Sequence, residues 1–119
     1  MMDSRLLTSL EQYFGYSSLR DGQLEIVRHV ISGGHAMVVM PTGMGKSLCY
    51  QIPALQLEPG DRRLVLVLSP LIALMQDQVE SLGRRGIDAT YINSSLDRAT
   101  RTERYAAIAE GRYRLIYVT

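Results

Sequence analysis

Lysine is nearly absent from this chain: of 13 basic residues, 12 are arginines and one, Lys46, is a lysine. Cysteine is equally scarce. Cys49 stands alone, which rules out an internal disulfide, and with only His29 and His35 as histidines no zinc-ligand set can be assembled. No apolar run approaches the roughly 18 residues that a membrane-spanning helix requires. The N-terminal stretch MMDSRLLTSLEQYFGY is broken by charge and has neither the apolar centre nor the cleavage site of a signal peptide. These absences give the expectation of a soluble, intracellular protein. A basic surplus is missing as well. With 13 basic and 12 acidic residues the net charge is +1, so charge alone gives no support for a nucleic-acid partner. Any such partner has to be read from local motifs.

What is present is a regular alternation of apolar runs and helical patterns, without repeats or low-complexity tracts. The length of 119 residues fits one domain, and the 46% apolar content is enough for a core of fair size. Four runs read as buried strands: Ala36 to Met40 (AMVVM), Leu64 to Leu68 (LVLVL), Ala89 to Ile92 (ATYI) and Leu115 to Val118 (LIYV). Most are apolar throughout rather than alternating, as strands covered on both faces should be. Helical spacing predicts helices over Ser4 to Phe14, Gly22 to Ile31, Lys46 to Leu57, Leu71 to Leu82 and Leu96 to Glu110. Pro53 should kink or break the third, because it cannot donate to the carbonyl of Cys49. Leu71, Leu74, Met75, Val79 and Leu82 form one stripe, closed by Gly83 and Gly86. Ser94-Ser95 stands where it can cap the last helix. Strand–helix alternation with short connections implies an α/β fold with a parallel sheet.

One stretch carries chemistry: MPTGMGKSLCYQ, residues 40–51. A phosphate-binding loop needs a buried strand, a glycine-bearing turn and a helix opening at Lys-Ser or Lys-Thr. Ala36 to Met40 supplies the strand, Pro41 to Gly45 the turn, and Lys46-Ser47 the helix start. Gly43 and Gly45 let the backbone turn sharply and approach phosphate without a Cβ in the way. The amides of Thr42, Gly43, Met44 and Gly45 can then converge on the anion, helped by the positive end of the helix. Lys46 would bridge the β- and γ-phosphates as a compact ammonium, and the Ser47 hydroxyl would hold Mg²⁺. Arginine's planar fork replaces that point charge poorly, so a lone lysine at this position in an arginine-rich chain is consistent with the role. The general pattern begins with glycine, and here Met40 holds that place. The competing reading is an ordinary glycine turn with a solvated lysine.

Met-Pro-Thr-Gly-x-Gly-Lys-Ser resembles motif I of the superfamily-two helicases, and the longer string MPTGMGKSLCYQIPAL resembles the RecQ family of DNA helicases. Upstream, FGYSSLRDGQLEIV resembles that family's motif zero. Downstream, VLSPLIALMQDQV resembles motif Ia, YINSSL the next block, and RLIYVT the strand leading into a Tyr-Val-Ala/Thr-Pro-Glu segment. The resemblance implies a RecA-like P-loop NTPase fold, with ATP and Mg²⁺ as cofactors. It places Gln23 on the adenine edge, with Tyr16 and Arg20 flanking the ring. A glutamine amide offers the donor and acceptor that the N6/N7 edge asks for. From the residues alone, Tyr16 reads more often as a partly buried surface aromatic and Arg20 as a solvated charge.

The resemblance further suggests that Ser69, Pro70 and Leu71, with Asn93 and Ser94, line a track for a DNA backbone. Amides at a helix start can hold a phosphate without excess lysine. Against this, Leu71, Leu74 and Met75 also suit a core, and Asn93-Ser94 a helix cap. Arg84-Arg85 and the Arg98/Arg101/Arg104 set read as solvated faces, and Cys49 as a small packed hydrophobe.

ATP hydrolysis also needs an acid to anchor the metal, a second to orient water, and an arginine finger. The 12 acidic residues include no Asp-Glu pair. The family likeness puts an Asp-Glu-Ala-His box about 25–30 residues beyond Thr119, and further on a second RecA-like domain. The chain is therefore expected to be an N-terminal part of a first motor domain: residues 1–33 a helical segment bearing motif zero, residues 34–119 a partial ATP-binding domain with motifs I, Ia and Ib. The parent would be an ATP-dependent three-prime to five-prime DNA helicase of recombination and repair, cytoplasmic in a bacterium or nuclear in a eukaryote. This part alone could bind ATP but should not unwind DNA. The alternatives are an RNA helicase, whose motif Ia is instead built around Pro-Thr-Arg-Glu-Leu, and a non-catalytic ATP-binding remnant.

Overall fold

The computed structural model describes residues 4–20, 22–40, 45–56 and 63–119. They fall into two compact units, residues 1–56 and 57–119. The sequence-based division at residues 33 and 34 separates motif blocks rather than these bodies.

In the first unit, α1 (Ser4–Ser9) continues into a π-helical turn over Leu10–Phe14, where a single helix was expected. Gly15, at φ 72°, ends it by donating its amide to the carbonyls of Glu11 and Leu10. Leu6 and Leu10, one turn apart, are both buried. Helix α2 (Gln23–Ile31) starts from Gly22 at φ 85° and buries Gln23 and Val27 on one stripe. Helix α3 (Leu48–Leu55) packs against both α1 and α2. It carries Pro53 and stops at Leu55, so the expected break comes two residues after the proline. Ile52 and Ala54 are sealed in the core, and burial pushes the Cys49 thiol above its ordinary range.

The apolar run at residues 36–40 is not a strand. No ladder pairs it, and the Met37 and Val39 side chains are 93% and 90% exposed. An apolar, β-branched run supplies strand propensity, but strand structure needs a neighbour to take its backbone donors and acceptors. Among the described residues none does so.

The second unit is a three-stranded parallel sheet with order β1-β3-β2, built from β1 (Val65–Leu68), β2 (Ala89–Ile92) and β3 (Leu115–Val118). Helix α4 (Ile72–Arg84) connects β1 to β2, and α5 (Arg98–Ala109) connects β2 to β3. Both pack on β2. Central β3 is covered on both faces, with Leu115, Ile116 and Tyr117 all buried. Edge strand β1 alternates instead: Leu66 and Leu68 are 57% and 72% exposed, so the uniform burial expected for it is absent. Only part of the α4 stripe is seated. Met75 and Leu82 are buried, while Leu71 and Leu74 are exposed, and the helix runs through Gly83 to turn at Gly86, φ 81°. Helix α5 is capped by Asp97, whose carboxylate accepts the Thr100 amide at 2.7 Å, rather than by Ser94-Ser95. Those serines sit in the preceding turn, where Ser95 is bonded to Asn93. No α5 residue is buried. The helix is fastened by Arg104, which lies 4.5 Å over the Tyr91 ring and donates to the Tyr91 carbonyl of edge strand β2.

Candidate functional site

In the first unit the glycine-bearing stretch is described from Gly45 onward; Thr42, Gly43 and Met44 lie outside the described residues. Gly45 has φ 76°, and a Cβ there would lie 2.3 Å from the Gln23 Nε2. The left-handed backbone conformation favours glycine, and a Cβ there would displace the Gln23 amide. Lys46 is exposed, Ser47 half-buried, and α3 begins directly after them with no side-chain cap on its first turn. Exposed ammonium, hydroxyl and uncapped helix start are thus consecutive along the chain. That arrangement suits a polyphosphate with a bound cation.

Gln23 sits against this stretch. Its side chain is 1% exposed; Oε1 accepts the Arg20 amide at 2.6 Å, and Nε2 donates to the Gly45 carbonyl at 3.0 Å. The structure thereby brings together two of the motif blocks, through the backbones of Arg20 and Gly45. Arg20 and Tyr16 remain exposed, Tyr16 by 49%, with the Tyr16 amide closing the π-helical turn on Leu10.

Sequence reasoning gave no function to the turn between α2 and residue 36. There the His29 carbonyl accepts from the Ser32 hydroxyl and the Gly34 amide, and the His29 ring Nε2 meets the His35 carbonyl at 2.7 Å. A carbonyl only accepts, so that ring nitrogen carries the hydrogen. The Gly33-Gly34 pair was the available signal, but it reads equally well as a plain helix stop.

In the second unit, parallel register does the positioning. Leu68 and Ile92 both align with Val118, so Ser69, Asn93 and Thr119 emerge side by side at the carboxyl edge of the sheet. The Ser69 amide donates to the Val118 carbonyl at 2.9 Å, holding this row in line. With strands about 4.8 Å apart, Ser69 and Asn93 stand on the order of 10 Å from each other. Carboxyl edges of open parallel sheets are where such folds take ligands. The Ser69 Oγ accepts the Leu71 amide at 3.2 Å, Pro70 and Leu71 are exposed, and α4 starts without a side-chain cap. Asn93 differs: it is buried, its Oδ1 accepts from the amide and hydroxyl of Ser95, and its Nδ2 faces the Met75 sulfur at 3.8 Å. Ser94 beside it is exposed.

No helix among the described residues is long and apolar enough to cross a membrane, and no metal-ligand cluster occurs among them. The ATP-dependent DNA helicase RecQ of Bacillus subtilis is 46% identical over 116 residues, covering 97% of this chain and 19% of that protein. RecQ of Haemophilus influenzae is 43% identical over an alignment covering 100% of this chain and 20% of its own length. The Arabidopsis thaliana ATP-dependent DNA helicase Q-like 5 is 41% identical, across 98% of this chain and 12% of that protein. The crystal structure of the DUF1998 helicase MrfA superposes with a TM-score of 0.74 at 26% identity, over 99% of this chain and 19% of that one. The chain thus spans about a fifth or less of the length of these relatives. Residues 20–119 match the DEAD/DEAH box helicase family, and the chain belongs to it.

Proposed function

We propose that the chain is the nucleotide-holding and DNA-tracking part of a RecQ-type ATP-dependent DNA helicase. One observation carries this reading. The amide of Gln23 is bonded to Gly45, which puts the glutamine of a motif-zero-like block against a phosphate-loop-like stretch. The first holds the group that would read adenine, the second the groups that would hold phosphate. Lys46 would contact the β- and γ-phosphates, Ser47 would ligate Mg²⁺, and the amides of Thr42 to Gly45 would complete the cradle. When bound, the metal ion would neutralise charge on the phosphoryl oxygens. Gln23 would turn from the Gly45 carbonyl toward the adenine edge, between Tyr16 and Arg20. Adenine capture and the setting of the loop would then be one event.

On the second unit the DNA backbone would run along the carboxyl edge of the sheet. The uncapped amides opening α4 and the Ser69 hydroxyl hydrogen would donate to phosphates, beside Pro70, Leu71 and Ser94. Asn93 would shape the turn rather than touch DNA, since its amide already holds Ser95. The whole helicase would translocate three-prime to five-prime in recombination and repair, with a second RecA-like domain supplying the arginine finger. Similarity to several relatives named DNA helicases favours DNA over RNA. The test is equilibrium binding of a fluorescent adenine nucleotide to the chain. ATP should compete and GTP should not, and Lys46→Ala should abolish most of the affinity. Equal competition by GTP would overturn the adenine assignment, and unchanged binding by the variant would overturn the phosphate site.

A further inference from the structure

We infer that Ser9 and Gln56 are positioning residues for the adenine side of the nucleotide site, acting through Tyr16. The inference rests on the adenine reading above and adds two residues to it. Gln56 stands at the end of α3, the helix that opens directly after Lys46 and Ser47. Its Nε2 donates to the Ser9 Oγ at 3.1 Å, and its carbonyl accepts from the Arg5 guanidinium at 3.1 Å. Arg5 and Ser9 are four residues apart and so share one face of α1, beside the buried pair Leu6 and Leu10. The two pairs do different work. Burial of the leucines is non-directional and fixes which face of α1 meets the core. Hydrogen bonds are directional, and these two fix how far α1 can slide or turn against α3. Ser9 precedes the π-helical turn but makes no side-chain cap there, which leaves its hydroxyl for Gln56.

From Ser9 to Tyr16 the backbone is closed by its own hydrogen bonds. The Gly15 amide reaches the Glu11 carbonyl at 3.1 Å, and the Tyr16 amide the Leu10 carbonyl at 3.4 Å. A shift of Ser9 is therefore carried to Tyr16 through one turn rather than absorbed in a loose loop. The turn also sets direction. A π-helical turn holds one residue more than an α-helical one, which rotates everything after it by about 100° around the axis. Gly15, at φ 72°, ends the turn, and Tyr16 leaves it exposed. Helix α3 thus follows the phosphate-holding residues at its start and, through Gln56, steadies the segment bearing Tyr16 at its end. Both halves of a nucleotide would then be referenced to the same helix.

The test measures binding of ATP and of inorganic tripolyphosphate to the whole chain. Tyr16→Ala should weaken ATP binding at least about fivefold, the low end for one stacked base, and leave tripolyphosphate within about twofold. Ser9→Ala and Gln56→Ala should each weaken ATP binding about three- to fivefold, the lower part of one hydrogen bond's range, again without moving tripolyphosphate. Both substitutions spare the Arg5 bond to the Gln56 backbone, so α1 stays docked. Together they should lose no more than either alone, because both break one bond. On a Tyr16→Ala background, Ser9→Ala should cost nothing further. Ser9→Thr, which keeps the hydroxyl, should bind ATP within about twofold of the parent. The positioning role is overturned if the Ser9 and Gln56 variants bind ATP like the parent, if they weaken both ligands alike, or if their losses persist without Tyr16. The reading beneath it fails separately. Lys46→Ala leaving both ligands unchanged, or Tyr16→Ala binding ATP like the parent, removes that reading and the positioning role with it. A loss in Tyr16→Ala without losses at Ser9 and Gln56 removes the positioning role alone.

Discussion

The two units place their candidate residues by different means. In residues 57–119 a ladder sets the site: Ser69, Asn93 and Thr119 are neighbours because three strands share a register. In residues 4–56 side chains do the work. Gln23 and His29 reach across to backbone carbonyls, and the apolar run expected as a strand has no ladder partner among the described residues. A register-built site fails when the central strand fails. A side-chain-built site fails contact by contact, and glycine is needed wherever such a contact comes close to backbone. The difference can be broken from either side.

The largest effect is expected from Leu115→Ala. Leu115 is 0% exposed in the strand that both β1 and β2 pair with, so the truncation should destabilise by about 2–5 kcal/mol. Residue-resolved hydrogen exchange should show the protection of β1, β2 and β3 falling together. Leu66→Ala on edge strand β1, where the side chain is 57% exposed, should change stability by less than about 0.5 kcal/mol. Equal losses for the two would mean that β3 does not organise the unit.

Lys46→Ala comes next and probes the other unit. It should cost about 1.5–3 kcal/mol of ATP binding, the scale of a charged hydrogen bond, while leaving the thermal midpoint in place because Lys46 is exposed. A smaller change is expected for Arg104→Ala. That substitution removes the cation over Tyr91 and a donor to an edge carbonyl, together about 0.5–2 kcal/mol. Exchange should quicken in α5 and β2 before it quickens in β1. Uniform acceleration would show that α5 is not fastened mainly through Arg104.

Much of the second unit was legible in the sequence, because period and composition report it directly. The runs at residues 65–68, 89–92 and 115–118 are short, apolar and spaced by helical patterns, and each became a parallel strand. The same signal misled at residues 36–40. Strand propensity there is as strong, but pairing is a property of neighbours and cannot be read from the run itself. Capping failed for a related reason. Ser94-Ser95 and Asp97 are all good cap residues; the helix uses Asp97, while Ser95 is bonded to Asn93 in the preceding turn. Of the candidate site, Gln23 and Gly45 were named from motif likeness. Their bond to each other, and the bond from His29 to His35, join residues 22 and six positions apart in ways that no periodicity encodes.

The smallest effect expected is electrostatic and sits at the Asp97 cap. Hydrogen bonds to Thr100 hold the Asp97 carboxyl below its ordinary value of 3.8, with the Arg101 charge adding to the same direction. A group whose folded value is lowered contributes stability that is fully present above its unfolded value and is lost as pH falls through the folded one. Protection of the first turn of α5 should therefore be flat at neutral pH and decline only as the solution is acidified below 3.8. Asp97→Asn keeps an acceptor for the Thr100 amide but has no proton to gain, so its acid-side decline should vanish while its neutral-pH protection stays near the parent's. Asp97→Ala should lose protection at every pH. Helix-resolved exchange across a pH series distinguishes the three. An Asn variant that still frays on acidification would place the titrating group elsewhere than at the cap.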